Sequence, residues 1–504
     1  MPRLPLLAGS RVPLVQVGED AVLIAPPRPL EPLQEIAGAV VEALRYPLSG
    51  PSIDELATPG GRATIVVEPP LLPLPPVDDE PRQEALAAVL DELVRVGVPA
   101  ERHTILIAGG LEQRTGRSER ALLLRPDRAR GFRGTVEAHD CCGEGLRELA
   151  VAGGLARVSP SLLDTDLVVT VTAAETADRG GAAALLACCD AETVARPPAA
   201  PSLLEPATSP TTRLAGAVEA ALGARVPLAG VSLVLDHPRL TGRYRGYPWS
   251  GDAVEGAARS PLRTILNILP GRAREGALRA LGRELRATAV LAGPPSVAHA
   301  EALLRGIALR GTHLDQPLDT IIVPLPWSAP HQPRQPLNPI TAAAASLGLA
   351  LRLWRERSPL VEGGTIVILH DLARAFGHGP QAPFRELFHA LRADPGGGAL
   401  DAARTAAAAD GRAIAAYRRG RSPHPLLPFA DWGSTAPVRG RAGRILVAGC
   451  RDAAAARALG FVPSHNVATA LEMARGVAGG SHRLGVLLAP PYAPIVVGRP
   501  VQAG

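Results

Sequence analysis

Short apolar runs with strand character alternate along this chain with Ala-, Leu- and Arg-rich stretches of helical period, and that rhythm restricts the fold more than any other feature. Ala63–Val67 reads as a strand, Arg82–Val96 as an amphipathic helix ending at Gly97, and His103–Ala108 as the next strand. Gly109 and Gly110 follow it, then a polar turn, and Leu162–Thr172 contains a further strand. Strand, helix and strand in this order predict parallel α/β layers. Val194–Thr212, rich in Pro, Ala, Ser and Thr, reads as a loop or local linker. A second series is expected from about Ala287, with strands at Ala287–Ala292, Thr320–Pro324, Thr365–Leu369 and Arg444–Ala448. Leu400–Arg419 reads as an exposed helix. The glycine pair Gly363-Gly364 precedes a strand, whereas a dinucleotide fingerprint needs its glycines after one.

At 504 residues the chain exceeds one ordinary domain. The sequence therefore predicts two parallel-sheet α/β domains with an interdomain cleft, divided as 1–265 and 266–504, with a hinge between residues 255 and 290. Aromatic residues are only 3% of the chain, so its cores must be built from Leu, Val, Ile and Ala. A net charge of +5 on a chain of this length, with no basic stripe interleaved by aromatics, argues against a nucleic-acid partner. Arginines and prolines interrupt every long apolar stretch, so no membrane span is expected. The first fourteen residues lack the apolar core of a signal peptide. Five cysteines do not read as a disulfide framework. The expected location is cytoplasmic.

The chain contains no lysine: all 53 of its Lys+Arg residues are arginine. Schiff bases, a phosphate-loop lysine and lysine-anchored cofactors are thereby excluded from its chemistry. Arginine is no substitute, because its guanidinium stays protonated and is a poor nucleophile.

Tyr46-Pro-Leu-Ser-Gly-Pro-Ser-Ile-Asp-Glu-Leu56, the strand ending Val66-Val67-Glu68, Ile105-Leu-Ile-Ala-Gly-Gly-Leu-Glu-Gln-Arg-Thr115 and Glu137-Ala-His-Asp140 follow one another in a distinctive order. In order and spacing they resemble the N-terminal domain of the nickel-pincer lactate racemase family. Ala298-His299-Ala300, Val361-Glu-Gly-Gly-Thr-Ile-Val367, Leu459-Gly-Phe-Val-Pro463 and Ala470-Leu471-Glu472 resemble its C-terminal domain. The resemblance covers nearly the whole chain and is weakest between Pro197 and Arg286. It implies two domains around a cleft. It also implies a nickel pincer made from a pyridinium mononucleotide, tethered through lysine, which exchanges a hydride with C2 of a 2-hydroxy acid. Two base histidines and a nickel-ligand histidine would complete such a site.

The sequence departs from that pattern at the residues that perform the chemistry. The acidic-x-Thr-Arg-Pro turn becomes Glu68-Pro69-Pro70-Leu71-Leu72, which removes a bidentate phosphate anchor. Glu112, followed by Gln113, stands at the first base histidine, and the second falls near Ala173–Glu175. The tether position falls near Ala183, and Val194–Pro201 holds no histidine for nickel. His139-Asp140 stands as the family has it.

Glu112, Glu175 and His139 are accordingly the candidate acid/base groups, since a cleft carboxyl whose pKa is raised by burial can move protons. Glu68, Gly109, Gly110, Gln113, Asp140, Gly180, Gly181 and Trp327 are expected to line the cleft at the C-terminal ends of parallel strands. Trp327, with His331, follows the strand ending at Pro324. His139-Asp140-Cys141-Cys142 with Cys188-Cys189 has the donors of a soft-metal site, but vicinal cysteines are poor paired ligands. No metal ligand and no resident cofactor are predicted. The aromatic cluster Tyr244–Trp249 reads as interdomain packing. Two functions stand: a family protein that has lost racemase activity and acts as a cleft binder or as partner of an active paralogue, or an enzyme on a small 2-hydroxy or keto acid that uses carboxylates. A homo-oligomer is the remaining partner expectation.

Overall fold

The computed structural model describes residues 3–69, 80–116, 123–328, 335–377, 379–394, 398–478, 482–488 and 492–498, with the side chains of 477 and 478 excluded. It is built on two large sheets. In the first, the strands run in the spatial order Ala287–Gly293, Leu228–Leu235, Leu167–Ala173, Ala63–Val67, His103–Ile107, Thr135–Ala138. All neighbours are parallel except Ala287–Gly293, which is antiparallel to Leu228–Leu235. The chain thus lays three strands outward in one direction, returns, and builds outward on the other side. The reversal falls between Ala63–Val67 and Leu167–Ala173.

Side-chain alternation explains why this sheet is covered on both faces. Ile65, Val67, Ile105, Ile107, Val169 and Val171 pack into one core with Val89 and Leu93 of helix Pro81–Arg95 and Val40 of helix Ile36–Arg45. Val66, Leu106 and Val168 face the opposite core, against Leu185 and against Val218 and Leu222 of helix Pro210–Gly223. Helix Pro81–Arg95 begins where expected because Pro81 lacks the N–H that a first helical turn leaves unpaired. It ends where Gly97 takes φ +92°.

The second sheet is parallel throughout, in the order Val462–Ser464, Arg444–Ala448, Leu360–Leu369, Leu318–Pro326, Leu484–Leu487, Val22–Ile24. Ala8–Gly9 pairs with the end of its strand Leu318–Pro326. Sheet membership therefore does not follow a single cut at 265/266, because Ala8–Gly9 and Val22–Ile24 serve the second sheet and Ala287–Gly293 the first. An apolar core runs between them, joining Leu111, Cys141, Leu203 and Leu204 to Ile321, Ile340 and Leu347.

Four expectations are corrected. Ala287–Ala292 is a strand, but it closes the first sheet instead of opening the second. Leu400–Arg419 is two helices, Leu400–Ala408 and Gly411–Arg418, because Asp410 caps the second through the amides of Arg412 and Ala413. Its Tyr417 is fully buried. Val194–Thr212 holds the end of helix Ala191–Ala195 and the start of Pro210–Gly223, whose N-cap is Ser209. Finally, the glycine pair lies inside strand Leu360–Leu369, where Gly363 at φ +73° accompanies a register shift. The Tyr247 hydroxyl donates to the Leu488 carbonyl at 2.7 Å, with the Pro5 carbonyl at 3.1 Å.

Candidate functional site

Open α/β sheets bind ligands outside the carboxyl ends of the strands where strand order reverses. In the first sheet that crevice lies between the ends of Ala63–Val67 and Leu167–Ala173. Glu68 is the residue after the first of these strands, and Glu175 follows the second by two. Helix Pro81–Arg95 contributes Arg82, the turn before Gly180-Gly181 contributes Arg179, and the loop after His103–Ile107 contributes Glu112. Glu68, Arg82, Glu175 and Arg179, with Pro69 and the strand end Val171–Ala173, line a cavity of about 10 Å³, room for roughly one water.

The cluster is charged and largely self-neutralised. Arg179 Nη1 donates to Glu112 Oε1 at 2.5 Å. Arg82 Nη1 lies 4.0 Å from Glu175 Oε1 while its Nε donates to Glu80 at 2.7 Å. Glu68 is the carboxyl without a close guanidinium bond of its own among the ion pairs of the described residues. Burial pushes its carboxyl up to about 7, opposed by Arg179 and by the Gly180 amide, and aided by the charges of Glu175 and Glu112. Carboxylates outnumber guanidiniums here, and the half-buried Glu68, without a guanidinium bond of its own among the described residues, keeps its proton longest. Burial weakens the Arg179 cation, but Glu112 and Glu68 outweigh that effect and hold it more firmly protonated than usual.

Gly180 and Gly181, at φ +88° and +51°, make the turn under this cluster. A Cβ on either would overlap His299, so the pair is glycine both for its backbone and for this close approach. His299 is buried on helix Pro295–Arg310, with Nε2 donating to Thr176 O at 2.9 Å and Nδ1 accepting from Ser232 Oγ at 3.3 Å. Burial lowers its pKa, so the ring is neutral. Arg310, on the same helix, is also buried and donates through Nη2 to the Ala174 carbonyl at 3.1 Å.

The other expected residues occupy different places. Gly110 takes φ +52°, and its carbonyl accepts from Tyr417 OH at 3.3 Å. Gly109 lies in open space. Gln113 Nε2 donates to Gly420 O at 2.7 Å, and Arg114 Nη1 to Arg418 O at 2.6 Å. Arg418 Nε donates to Asp140 Oδ2 at 3.1 Å. These bonds clamp the loop of residues 110–114 and Asp140 to the segment around 417–420. His139 is buried, its Nε2 donating to Cys189 O at 2.8 Å, and burial lowers it to about 4. Its ring is neutral and committed to a backbone carbonyl, and it is not among the residues lining the cavity. Trp327 follows strand Leu318–Pro326 of the second sheet, outside the first sheet's cavity lining, with Arg279 stacked 5.2 Å from its ring. His331 and Pro70–Leu72 lie outside the described residues.

Sequence reasoning brought Glu68, Glu112, Glu175 and Gly180-Gly181 to one neighbourhood and missed Arg82, Arg179 and Arg310. Nothing local distinguishes an arginine in an arginine-rich chain; only its tertiary burial does. Among the described residues the donors that converge are Cys141, Cys142 and His424, without Cys188 or Cys189.

Residues 9–169 match the lactate racemase N-terminal domain family. Among solved structures, the lactate racemase apoprotein from Thermoanaerobacterium thermosaccharolyticum superposes with a TM-score of 0.59 at 14% identity, covering 98% of this chain and 100% of that one. A protein from Thermotoga maritima gives a TM-score of 0.48 at 12% identity, covering 93% and 99%. No curated protein sequence matches. Among the described residues, no helix is long and apolar enough to cross a membrane. Residues 9–169 thus carry a lactate racemase N-terminal domain, and the α/β architecture of the chain is that of the lactate racemase fold.

Proposed function

We propose that this chain is a lactate racemase-like protein that has lost nickel-pincer racemisation, and that it serves in the cytoplasm as a cleft binder or as the partner of an active paralogue. The observation that carries the reading is the occupant of the switch-point crevice: a charge cluster of Glu68, Glu112, Glu175, Arg82 and Arg179 around room for one water. The residues present do not fit a nickel pincer. A tethered mononucleotide needs a lysine, and the position where the resemblance expects it, Ala183, is a buried alanine in a chain without lysine. Among the described residues lining the cavity, the donors are carboxylates opposed by guanidiniums, with no imidazole or thiolate for nickel. His299 packs against Gly180-Gly181 and is not among the residues that line the cavity. Elemental analysis with intact mass tests the reading: the bare polypeptide mass without stoichiometric nickel supports it, and a covalent nucleotide adduct refutes it.

One observation favours a second reading, an enzyme acting on a small 2-hydroxy or keto acid. The Glu68 carboxyl, raised to about 7, is matched to general acid/base work at neutral pH. Glu112 is ion-paired, and His139 is neutral and committed elsewhere, so Glu68 is the strongest proton carrier of the cluster. Turnover of such an acid that disappears in Glu68→Gln, with a pH–rate limb near 7, would select this reading over the first.

A further inference from the structure

The loop after strand Thr135–Ala138 carries adjacent cysteines, and the turn after helix Gly411–Arg418 brings His424 to them. The sulfurs of Cys141 and Cys142 and a ring nitrogen of His424 lie within 4.8 Å of one another. Cys141 is buried and Cys142 half-buried, so one sulfur is reachable and the other is sheltered behind it. The Cys141 amide donates to the Tyr417 hydroxyl at 3.2 Å, and the Tyr417 ring meets His424 edge-on at 5.3 Å. The Cys142 amide donates to Asp140 Oδ1 at 3.1 Å.

The histidine's tautomer decides what this group is suited to. His424 Nδ1 accepts the Leu426 amide at 3.1 Å, which puts the proton of the neutral ring on Nε2, the nitrogen left for a side-chain partner. A protonated ring nitrogen donates to a thiolate but cannot ligate a metal. Hydrogen bonds from Cys141 and, more weakly, from His424 hold the Cys142 thiol well below the usual range, against burial and the Asp140 charge. The same chain supplies a contrast. Cys188 and Cys189 are also adjacent, but both are fully buried and burial pushes both thiols up.

We propose that Cys141-Cys142 is an oxidation site, a vicinal dithiol that a hydroperoxide converts to a disulfide while Cys188-Cys189 stays reduced. The Cys142 thiolate attacks a peroxide oxygen: an S–O bond forms, the O–O bond breaks, and hydroxide leaves and takes up a proton. Cys141, giving up its proton, then attacks the sulfenic sulfur, forming the S–S bond and releasing water. Two thiols are oxidised and one hydrogen peroxide is reduced to two waters. The reaction removes the thiolate that lies within 4.8 Å of the His424 ring nitrogen, where the 139–142 loop meets the segment after residue 418.

The test treats the full-length protein with near-stoichiometric hydrogen peroxide, alkylates the remaining thiols and maps them by peptide mass. The expected result is loss of two hydrogens from the Cys141-Cys142 peptide at least about tenfold faster than from Cys188-Cys189, because the accessible thiolate is the nucleophile. Equal rates at the two pairs, or a Cys141-Cys142 pair that stays fully alkylatable, would overturn the proposal. His424→Gln tests the histidine in protein shown by circular dichroism to be folded. The pH midpoint of Cys142 alkylation should rise toward the free-thiol range of about 8.5, and an unchanged midpoint would remove His424 from the account.

Discussion

Glu68→Gln should change how stability depends on pH, and the size of the change follows from where the carboxyl lies. Its folded-state pKa of about 7 stands above the ordinary 4.5. Between those values the folded protein holds a proton that the unfolded chain has released, so raising the pH lowers stability. The contribution is fully present below about 4.5 and is lost as pH rises through 7. A difference of this size corresponds to roughly 3 kcal/mol. Glutamine keeps the shape and hydrogen-bonding capacity of the neutral acid and does not titrate. The variant should match the wild type near pH 4.5 and exceed it by up to about 3 kcal/mol at pH 8. Urea unfolding followed by circular dichroism at pH 5, 6, 7 and 8 measures this. Parallel pH profiles, or a variant less stable than wild type at pH 8, would show that the carboxyl is not held protonated.

Two further outcomes rest on the same cluster and its supports, and a third serves as their reference. Arg179→Met leaves Glu112 without its partner and Glu68 without an opposing cation; since the arginine is 27% exposed, the loss should be nearer about 2–3 kcal/mol than the larger cost of a fully buried pair, and adding Glu112→Gln should recover part of it in a double-mutant cycle. Gly181→Ala forces a side chain into positive φ and onto His299, so a loss of at least about 1–3 kcal/mol is expected, while a neutral effect would mean that the turn is not as tight as described. Leu93→Ala, fully buried under the first sheet and remote from the cluster, should cost about 2–5 kcal/mol at every pH and serves as the pH-independent reference.

Much of the layering was legible because its strands are continuous β-branched or apolar runs that cannot be exposed. Ala63–Val67 and Arg444–Ala448 begin and end where their composition changes. What a strand pairs with is not written in its own residues, so Ala287–Gly293 was recognised as a strand but assigned to the wrong sheet. The break in Leu400–Arg419 did leave a mark: Asp410-Gly411 is a capping residue followed by a glycine. At the site, the carboxylates and glycines were readable through collinear order. Their electrostatic partners were not, because Arg82, Arg179 and Arg310 gain their meaning from burial that only the assembled fold supplies. His424 likewise reaches Cys141 and Cys142 across a long stretch of sequence.

The central claim is that the switch-point crevice no longer supports hydride exchange at C2 of a hydroxy acid. Incubating the purified protein with L-lactate, after supplying nickel and the family's mononucleotide cofactor, and following the optical purity of the lactate tests it directly. The account predicts no racemisation above a boiled control, since the tether is missing and loss of general acid/base help alone typically costs about 10²–10⁴-fold. Cofactor-dependent formation of D-lactate would contradict it.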